Sequence, residues 1–411
     1  MTIGTSVAQL ISLVFSPFIA RLYGPESIGI QGVFLSLVGI MVTFSAMSYP
    51  NSIVLPKRDV DAMGLVFLSI YISLVTSIII YVAIFFFGEN ILNLLNSQEI
   101  SHYLFLLPIA IFITVLYTIF GEWLSREKSF RIASMSIIIL AVVVTGLKVF
   151  FGRISPSGLS LIIAYIVGYL ITTFITFLIW KKIRRIKFNR SIKVNIIPLA
   201  LDYKDFAVFR TSQNFINAIS QSLPVFLLSG FFSVSAAGQY SISISLLGVP
   251  LAIIGGSVMS VFYPRVTEAI RNGEDVRSLI IITTKGLMRI SIIPFLIIAV
   301  YGPELFHFIF GVQWIIAGQY SQWLSLFYFF QLINKAPMAA VAALRLQGGL
   351  LVYEIVGTAT KVLALWLGFV FFKDALVAIA LFSIFGALAY MWLTLWVIKT
   401  SGKKNSSITS T

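Results

Sequence analysis

Long apolar runs, separated by short polar stretches or by glycine and proline, set the pattern of this chain. An α-helix needs about 20 apolar residues to cross roughly 30 Å of hydrocarbon, and the runs have that length. They predict about twelve spans, over 3–20, 28–50, 62–87, 102–121, 132–151, 159–180, 207–231, 239–263, 279–301, 317–343, 350–372 and 375–398. Pro56, Gly88, Gly152, Pro264, Gly302 and Gly348 mark breaks between them. The short alternating segments of a membrane barrel are missing from the pattern. The predicted fold is an all-α integral membrane protein.

Composition narrows the picture. The chain is 59% hydrophobic and 11% charged, with a mean hydropathy of +0.99, more apolar surface than a soluble domain can hide. Cysteine is absent, which removes disulfides, thiolate metal sites and cysteine nucleophiles. The first residues resemble the start of a span and lack the pattern of a cleaved signal peptide. His102 and His307 have no metal-ligand spacing. Gly-rich phosphate loops, HExxH and GxSxG do not occur. No soluble stretch is long enough for a nucleotide-binding domain. The expectation is a protein that is not an enzyme and has no cofactor and no metal, its work driven by an ion gradient, membrane potential or product removal.

The formal charge of +14 reads as a topology signal. Basic residues collect in the loops after the even-numbered spans: Lys57 and Arg58; Arg126, Lys128 and Arg131; Arg265, Arg271 and Arg277; Arg345; and Lys399, Lys403 and Lys404. The central loop holds Lys181, Lys182, Arg184, Arg185, Lys187, Arg190 and Lys193. The opposite loops hold little beyond Arg21, Arg153 and Lys373. The positive-inside rule then places both termini and the central loop in the cytoplasm. Cations spread over short loops do not make a nucleic-acid surface.

The basic centre divides the chain into two halves of six spans that share short motifs. Arg21-Leu-Tyr-Gly-Pro-Glu-Ser-Ile-Gly29 corresponds to Gly230-Phe-Phe-Ser-Val-Ser-Ala-Ala-Gly238, Tyr49-Pro50 to Tyr263-Pro264, and Gly88-Glu-Asn-Ile-Leu to Gly302-Pro-Glu-Leu-Phe. Halves with an even number of spans enter from the same side, so the repeat is parallel, and such repeats place a substrate path between them. The expected domains are a six-helix bundle over 1–185, a basic cytoplasmic linker over 186–206, a second bundle over 207–398, and a disordered polar tail over 399–411.

Ionisable residues inside a membrane face a cavity or a partner. Of fifteen carboxylates, only Glu354 lies deep inside a predicted span, whereas several cations lie in spans or at their ends. That asymmetry predicts a cationic central cavity that carries an anionic cargo by alternating access. Arg210, Asn214, Asn217 and Gln221 follow at helical spacing and form one polar stripe, facing either a cavity or a neighbouring helix. Glu354 and Lys361 share a face as a structural ion pair or as a proton-sensitive gate beside an anion contact. Lys335, with Gln331 and Asn334, sits near mid-membrane, where a lysine does not easily snorkel. Lys285 and Arg289 repel each other one turn apart, which an anion would relieve. Lys285 also fits a snorkelling residue, as does Lys148. Arg21 ends its span beside Gly24-Pro25, where it fits an interfacial anchor. Trp180, Trp314, Trp392 and Trp396 fit an interfacial belt.

Gln9-Leu-Ile-Ser-Leu, Ile19-Ala-Arg-Leu-Tyr-Gly-Pro-Glu-Ser-Ile-Gly29, Ala237-Gly-Gln-Tyr240 and Tyr263-Pro-Arg-Val266 resemble the Wzx-type lipid-linked oligosaccharide flippases. These belong to the polysaccharide transporter branch of the multidrug/oligosaccharidyl-lipid/polysaccharide (MOP) superfamily. The resemblance covers essentially the whole chain. It implies two six-helix bundles in a MATE-like fold. It also implies export of an undecaprenyl-diphosphate-linked O-antigen or capsule repeat unit across a bacterial inner membrane. Its implied partners are the lipid-linked oligosaccharide, membrane lipids, a polysaccharide polymerase and a chain-length regulator. A basic residue where Arg21 stands is implied to face substrate. The chain departs from the family pattern by starting almost at its first span, as if a short cytoplasmic leader were absent.

Two other classes compete. A multidrug antiporter of the same superfamily would share the fold, but many rely on a carboxylate in the first span, where this chain has Gln9, Ser12 and Ser16. A basic cavity also repels cationic drugs. A polymerase or ligase would display a long outer loop with catalytic cations, and the outer loops here are short.

Overall fold

The computed structural model describes residues 2–95, 98–184, 196–344 and 346–408. Arg185, Lys187, Arg190, Lys193 and Arg345, read above for topology, lie outside them. The described residues are helical almost throughout. In chain order the helices are α1 (Thr2–Leu22), α2 (Pro25–Ser45), α3 (Asp59–Leu95), α4 (Leu107–Arg126), α5 (Phe130–Ile154), α6 (Gly158–Arg184) and α7 (Ile196–Asp202). They continue as α8 (Thr211–Phe231), α9 (Val234–Arg271), α10 (Val276–Phe310), α11 (Ile315–Ile333), α12 (Lys335–Ala343), α13 (Gln347–Leu367) and α14 (Ala375–Ile408). Only helices satisfy every backbone group within a single segment crossing hydrocarbon.

Eleven segments among the described residues are long and apolar enough to cross a membrane. The twelfth expected span is present as α8, with 21 residues, but its polar stripe lowers its hydropathy. Five of the six expected breaks fall inside helices: Gly88 in α3, Gly152 in α5, Pro264 in α9, Gly302 in α10 and Gly348 in α13. Proline and glycine are tolerated inside helices of membrane proteins, where neighbours re-satisfy the freed backbone groups. Only α10 departs from helical geometry there, at Tyr301 with φ −109° and ψ 20°. The tail expected to be disordered from residue 399 instead continues α14 to Ile408. No proline interrupts it there.

The chain folds into two compact units, divided between Gly238 and Gln239. The division lies beyond the expected linker because α8 packs along α2. In the first unit, Ala46, Tyr49, Ile53, Leu65, Leu68, Val115 and Ile119 form a buried cluster under α7. Hydroxyls join the helices: Ser45 Oγ lies 3.1 Å from Ser73 Oγ, and Thr76 Oγ1 donates to Ser45 O at 2.8 Å. Such bonds and close-packed small residues take over the role that hydrophobicity has in water. At Gly29 and Gly238 the backbones of α2 and α9 come so near that a Cβ on either would collide with a carbonyl of the other, Val234 O and Pro25 O. These two glycines belong to one of the motif pairs that suggested the repeat.

In the second unit, α10 packs on α11, and α14 on α11 and α13. Its core joins Val266, Val276, Ile280, Ala336, Ala339, Ala340 and Leu393. Arg265 closes the turn between α9 and α10 by gripping Glu274 with two bonds, at 3.1 and 2.5 Å. In the first unit Arg126 does comparable work, donating to Ile53 O, Pro56 O and Asp59 at 3.1, 2.7 and 2.8 Å. Basic residues that indicate topology thus also hold the loops.

Candidate functional site

The polar stripe of α8 begins after one turn of π-helix, Phe206–Arg210. Such turns recur at functional sites. Across from the stripe, α2 ends at Ser45 and the chain reverses through Met47 and Ser48, both left-handed with φ 46° and 53°. Left-handed backbone is unfavourable for residues with a Cβ, so surrounding contacts must hold it. Ser48 is buried, and its Oγ receives hydrogen bonds from Thr211 Oγ1 at 3.0 Å and Asn214 Nδ2 at 3.3 Å. Tyr49 follows, and its hydroxyl donates to Ala200 O at 2.9 Å in α7. Burial raises the pKa of that phenol, which favours the protonated donor form.

Between these elements lies a cavity of about 400 Å³. Thr43 of α2, Ser48 and Asn51 of the turn, Thr118 of α4, and Asn214, Asn217, Gln221 and Ser222 of α8 supply its polar lining. Gln221 Nε2 donates to Asn217 Oδ1 at 3.1 Å, which leaves Asn217 Nδ2 and Gln221 Oε1 outside that bond. No charged side chain lines the cavity among the described residues. Neutral amides and hydroxyls both donate and accept, a lining that matches the hydroxyls of a sugar better than a bare phosphate.

The structure therefore brings Asn214 and Asn217 together with Gln221 and leaves the cations elsewhere. Arg210 is exposed one turn before Asn214, with Nη1 3.4 Å from Gln213 Oε1. Arg21 is exposed at the end of α1. In the second unit, Arg289 and Lys285 are both exposed on α10. Lys335 is half-buried, and its methylene stem crosses α9 at Gly255, where a Cβ would lie 3.1 Å from Lys335 Cε. Lys361 Nζ stands 6.0 Å from the centre of the Phe327 ring, a cation–π contact. Glu354 is exposed and forms no ion pair with Lys361 within 4.0 Å among the described residues. Asn334 is buried and donates to Thr394 Oγ1 at 2.8 Å, and Gln331 Nε2 donates to Tyr390 OH at 2.9 Å. These two amides hold α14 to α11.

Three residues read as interfacial turn inward: Lys148, Trp180 and Trp314, the last fully buried. Lys148 does not snorkel: its Nζ donates to Gln31 Oε1 at 3.0 Å, and Gln31 Nε2 donates to Leu161 O at 3.1 Å. Tyr23, buried so that its pKa rises to about 12, donates from its hydroxyl to Lys148 O at 2.8 Å. Trp180 is 3% exposed and donates to Glu127 Oε2 at 2.6 Å. Sequence reasoning also missed Thr43, Ser48, Asn51 and Thr118. Hydroxyls and amides within apolar runs were their only signal, and most such groups bond within their own helix.

The polysaccharide biosynthesis protein family matches over residues 18–319. The succinoglycan biosynthesis transport protein ExoT of Rhizobium meliloti (strain 1021) is 20% identical over 306 residues, which are 74% of this chain and 60% of ExoT. The chain thus spans about three fifths of the curated relative it matches. Among solved structures, an inward-facing MATE family multidrug resistance transporter of the MOP superfamily superposes with a TM-score of 0.79 at 16% identity, covering 100% of this chain and 97% of that one. The lipid II flippase MurJ in an inward closed conformation gives 0.73 at 16% identity, covering 96% and 87%. The fold is therefore MATE-like, all-α and membrane-spanning, and the chain belongs to the polysaccharide biosynthesis protein family.

Proposed function

We propose that this protein is a flippase for a lipid-linked saccharide, carrying an undecaprenyl-diphosphate-linked repeat unit of O-antigen or capsule type across the bacterial inner membrane. The carrying observation is the neutral cavity lined by Ser48, Asn51, Thr118, Asn214, Asn217 and Gln221. Amides and hydroxyls inside a membrane protein are costly unless satisfied, and sugar hydroxyls satisfy them. The diphosphate takes its counter-charge from cations outside that cavity, the candidates being Arg21 and Arg210 in the first unit and, separately, Arg289, Lys335 and Lys361 in the second. Charge-assisted hydrogen bonds suit these residues to that task. Glu354 serves as the proton-sensitive group that gates alternating access. The names of ExoT, a polysaccharide transport protein, and MurJ, a lipid II flippase, support this reading.

The test is deletion of the gene in its host, followed through surface polysaccharide and the lipid-linked repeat unit. Loss of polymer, with the repeat unit retained on the cytoplasmic leaflet, is expected. Re-introduced wild-type protein restores the polymer, whereas Asn217→Leu with Gln221→Leu, or Arg210→Ala, or Lys335→Ala does not, at equal protein level. Unchanged polysaccharide together with altered drug tolerance would move the protein to the efflux class.

A further inference from the structure

The first unit holds a second hollow, of about 530 Å³. Its walls come from α3, α4 and α6, with Met63, Ile70, Ile113, Phe120, Leu170 and Phe177 among them. Thr173 is the one hydroxyl on the lining, and it donates to Tyr169 O at 2.8 Å within its own helix. The groove therefore offers a ligand dispersion and apolar burial and almost no hydrogen bonds.

One end of the groove is polar. Trp123 and Trp180 line it, and their indole N–H groups both donate to Glu127, at 3.1 and 2.6 Å. Four exposed cations lie close to it in the chain: Lys128 directly after Glu127, Arg131 at the start of α5, and Lys181 and Lys182 directly after Trp180. The carboxylates nearby are engaged or half-buried. Glu127 is held by the indoles, Asp59 by Arg126 and Asp61 by Arg58, and Glu122 is half-buried at the end of α4.

An apolar slot that ends in cations matches a molecule with a hydrocarbon chain and an anionic head. We propose that this groove binds one acyl chain of an anionic phospholipid, with the phosphate among Lys128, Arg131, Lys181 and Lys182. The volume suits a single fatty acyl chain, whereas a long polyprenyl chain far exceeds it. The site does not depend on the cargo proposed above, because it lies apart from the polar cavity and is built from other residues. The indoles close its polar end, with both N–H groups turned to Glu127.

The experiment uses the full chain purified in mild detergent and native mass spectrometry with phosphatidylglycerol and phosphatidylcholine of identical acyl chains. One phosphatidylglycerol should be retained, with a preference of roughly tenfold, since clustered basic residues attract anionic lipid. Lys181→Gln with Lys182→Gln should cut that preference several-fold, and Leu170→Trp, which fills the slot, should remove the bound lipid. Equal retention of the two lipids, or full retention in Leu170→Trp, overturns the proposal. So does tighter retention of a polyprenyl phosphate, which would assign the groove to the carrier. If Leu170→Trp fails to fold, the wild type in bilayers is decisive. Bromine-labelled acyl chains should quench its tryptophan fluorescence more as phosphatidylglycerol than as phosphatidylcholine, and equal quenching refutes the site.

Discussion

Ser48 Oγ lies 3.3 Å from Asn214 Nδ2, so the left-handed turn that ends α2 is tied to the polar stripe of α8. Thr211 Oγ1 donates to the same oxygen at 3.0 Å. The strained residue and the cavity it borders are therefore one construction. The two donors from α8 add to the turn's own backbone bonds, among them Asn51 N to Ser48 O at 3.1 Å, in holding a residue with a Cβ at φ 53°.

This gives opposite backbone and side-chain effects at one position. Ser48→Ala keeps the strain and removes the acceptor that Asn214 Nδ2 and Thr211 Oγ1 share, leaving Thr211 Oγ1 only Phe206 O at 3.3 Å, a loss of about 1–3 kcal/mol. Ser48→Gly loses the same acceptor but relieves the left-handed backbone, which recovers about 1–2 kcal/mol. Thermal unfolding of the purified protein should therefore rank wild type above Ser48→Gly, and Ser48→Gly above Ser48→Ala. Equal destabilisation by both would show that backbone strain plays no part.

The close approach of α2 and α9 makes a second prediction. A Cβ at Gly29 would strike Val234 O, and one at Gly238 would strike Pro25 O. A backbone carbonyl cannot swing aside as a flexible side chain can. Gly29→Ala and Gly238→Ala should each destabilise by about 1–3 kcal/mol. Gly146→Ala on α5 is the control, because its Cβ meets nothing within 4 Å. There the gain in helix propensity, about 1 kcal/mol, should stabilise the protein. Unfolding midpoints of the three variants, measured together, would expose an error if all moved alike.

The reach of sequence reasoning follows from these cases. Run length located the helices because the thickness of hydrocarbon sets it, and the amide spacing located the stripe of α8 because helical periodicity does. Pro264 misled, since a proline that breaks a soluble helix is carried inside α9. Lys148 misled in another way. Its place near a span end permits snorkelling, and only the tertiary position of Gln31, 117 residues earlier, turns it inward. Ser48 left no trace, because a serine after an apolar run has no pattern to betray a left-handed turn. Of the two readings left open for Glu354 and Lys361, the ion pair rested on spacing along α13, and spacing does not set the rotamers that bring an ion pair to contact distance.

The turn between α9 and α10 carries a pH-dependent element. Hydrogen bonds from Arg265 hold the Glu274 carboxyl below its ordinary pKa of 4.5, helped by Asn272 and by the charge of Arg265, against a smaller opposing effect of burial. A carboxylate with a depressed folded pKa contributes stability above its unfolded pKa and loses it as pH falls through the folded one. The contribution of Glu274 is thus complete at neutral pH and disappears at acid pH below 4.5. A carboxyl NMR titration should place the Glu274 midpoint under 4.5 in the wild type and return it toward that value in Arg265→Gln. A wild-type midpoint at or above 4.5 would contradict the grip of Arg265.

The kink in α10 joins a backbone defect to a distant side chain. Pro303 has no N–H to give Ala299 O, four residues earlier, and the helix departs from regular geometry at Tyr301. Gln322 on α11 fills the gap, its Nε2 donating to Ala299 O at 3.1 Å and Val300 O at 3.2 Å. Close contact between Gly302 and Gly318 brings the two helices near enough for this reach. Gln322→Leu should therefore cost about 1–3 kcal/mol by leaving carbonyls unpaired. Pro303→Ala supplies the missing donor, so the same Gln322→Leu change should cost markedly less in that background. A double-mutant cycle by thermal unfolding measures the difference. If Gln322→Leu costs the same in both backgrounds, Gln322 holds the helices by packing alone, and the kink does not depend on it.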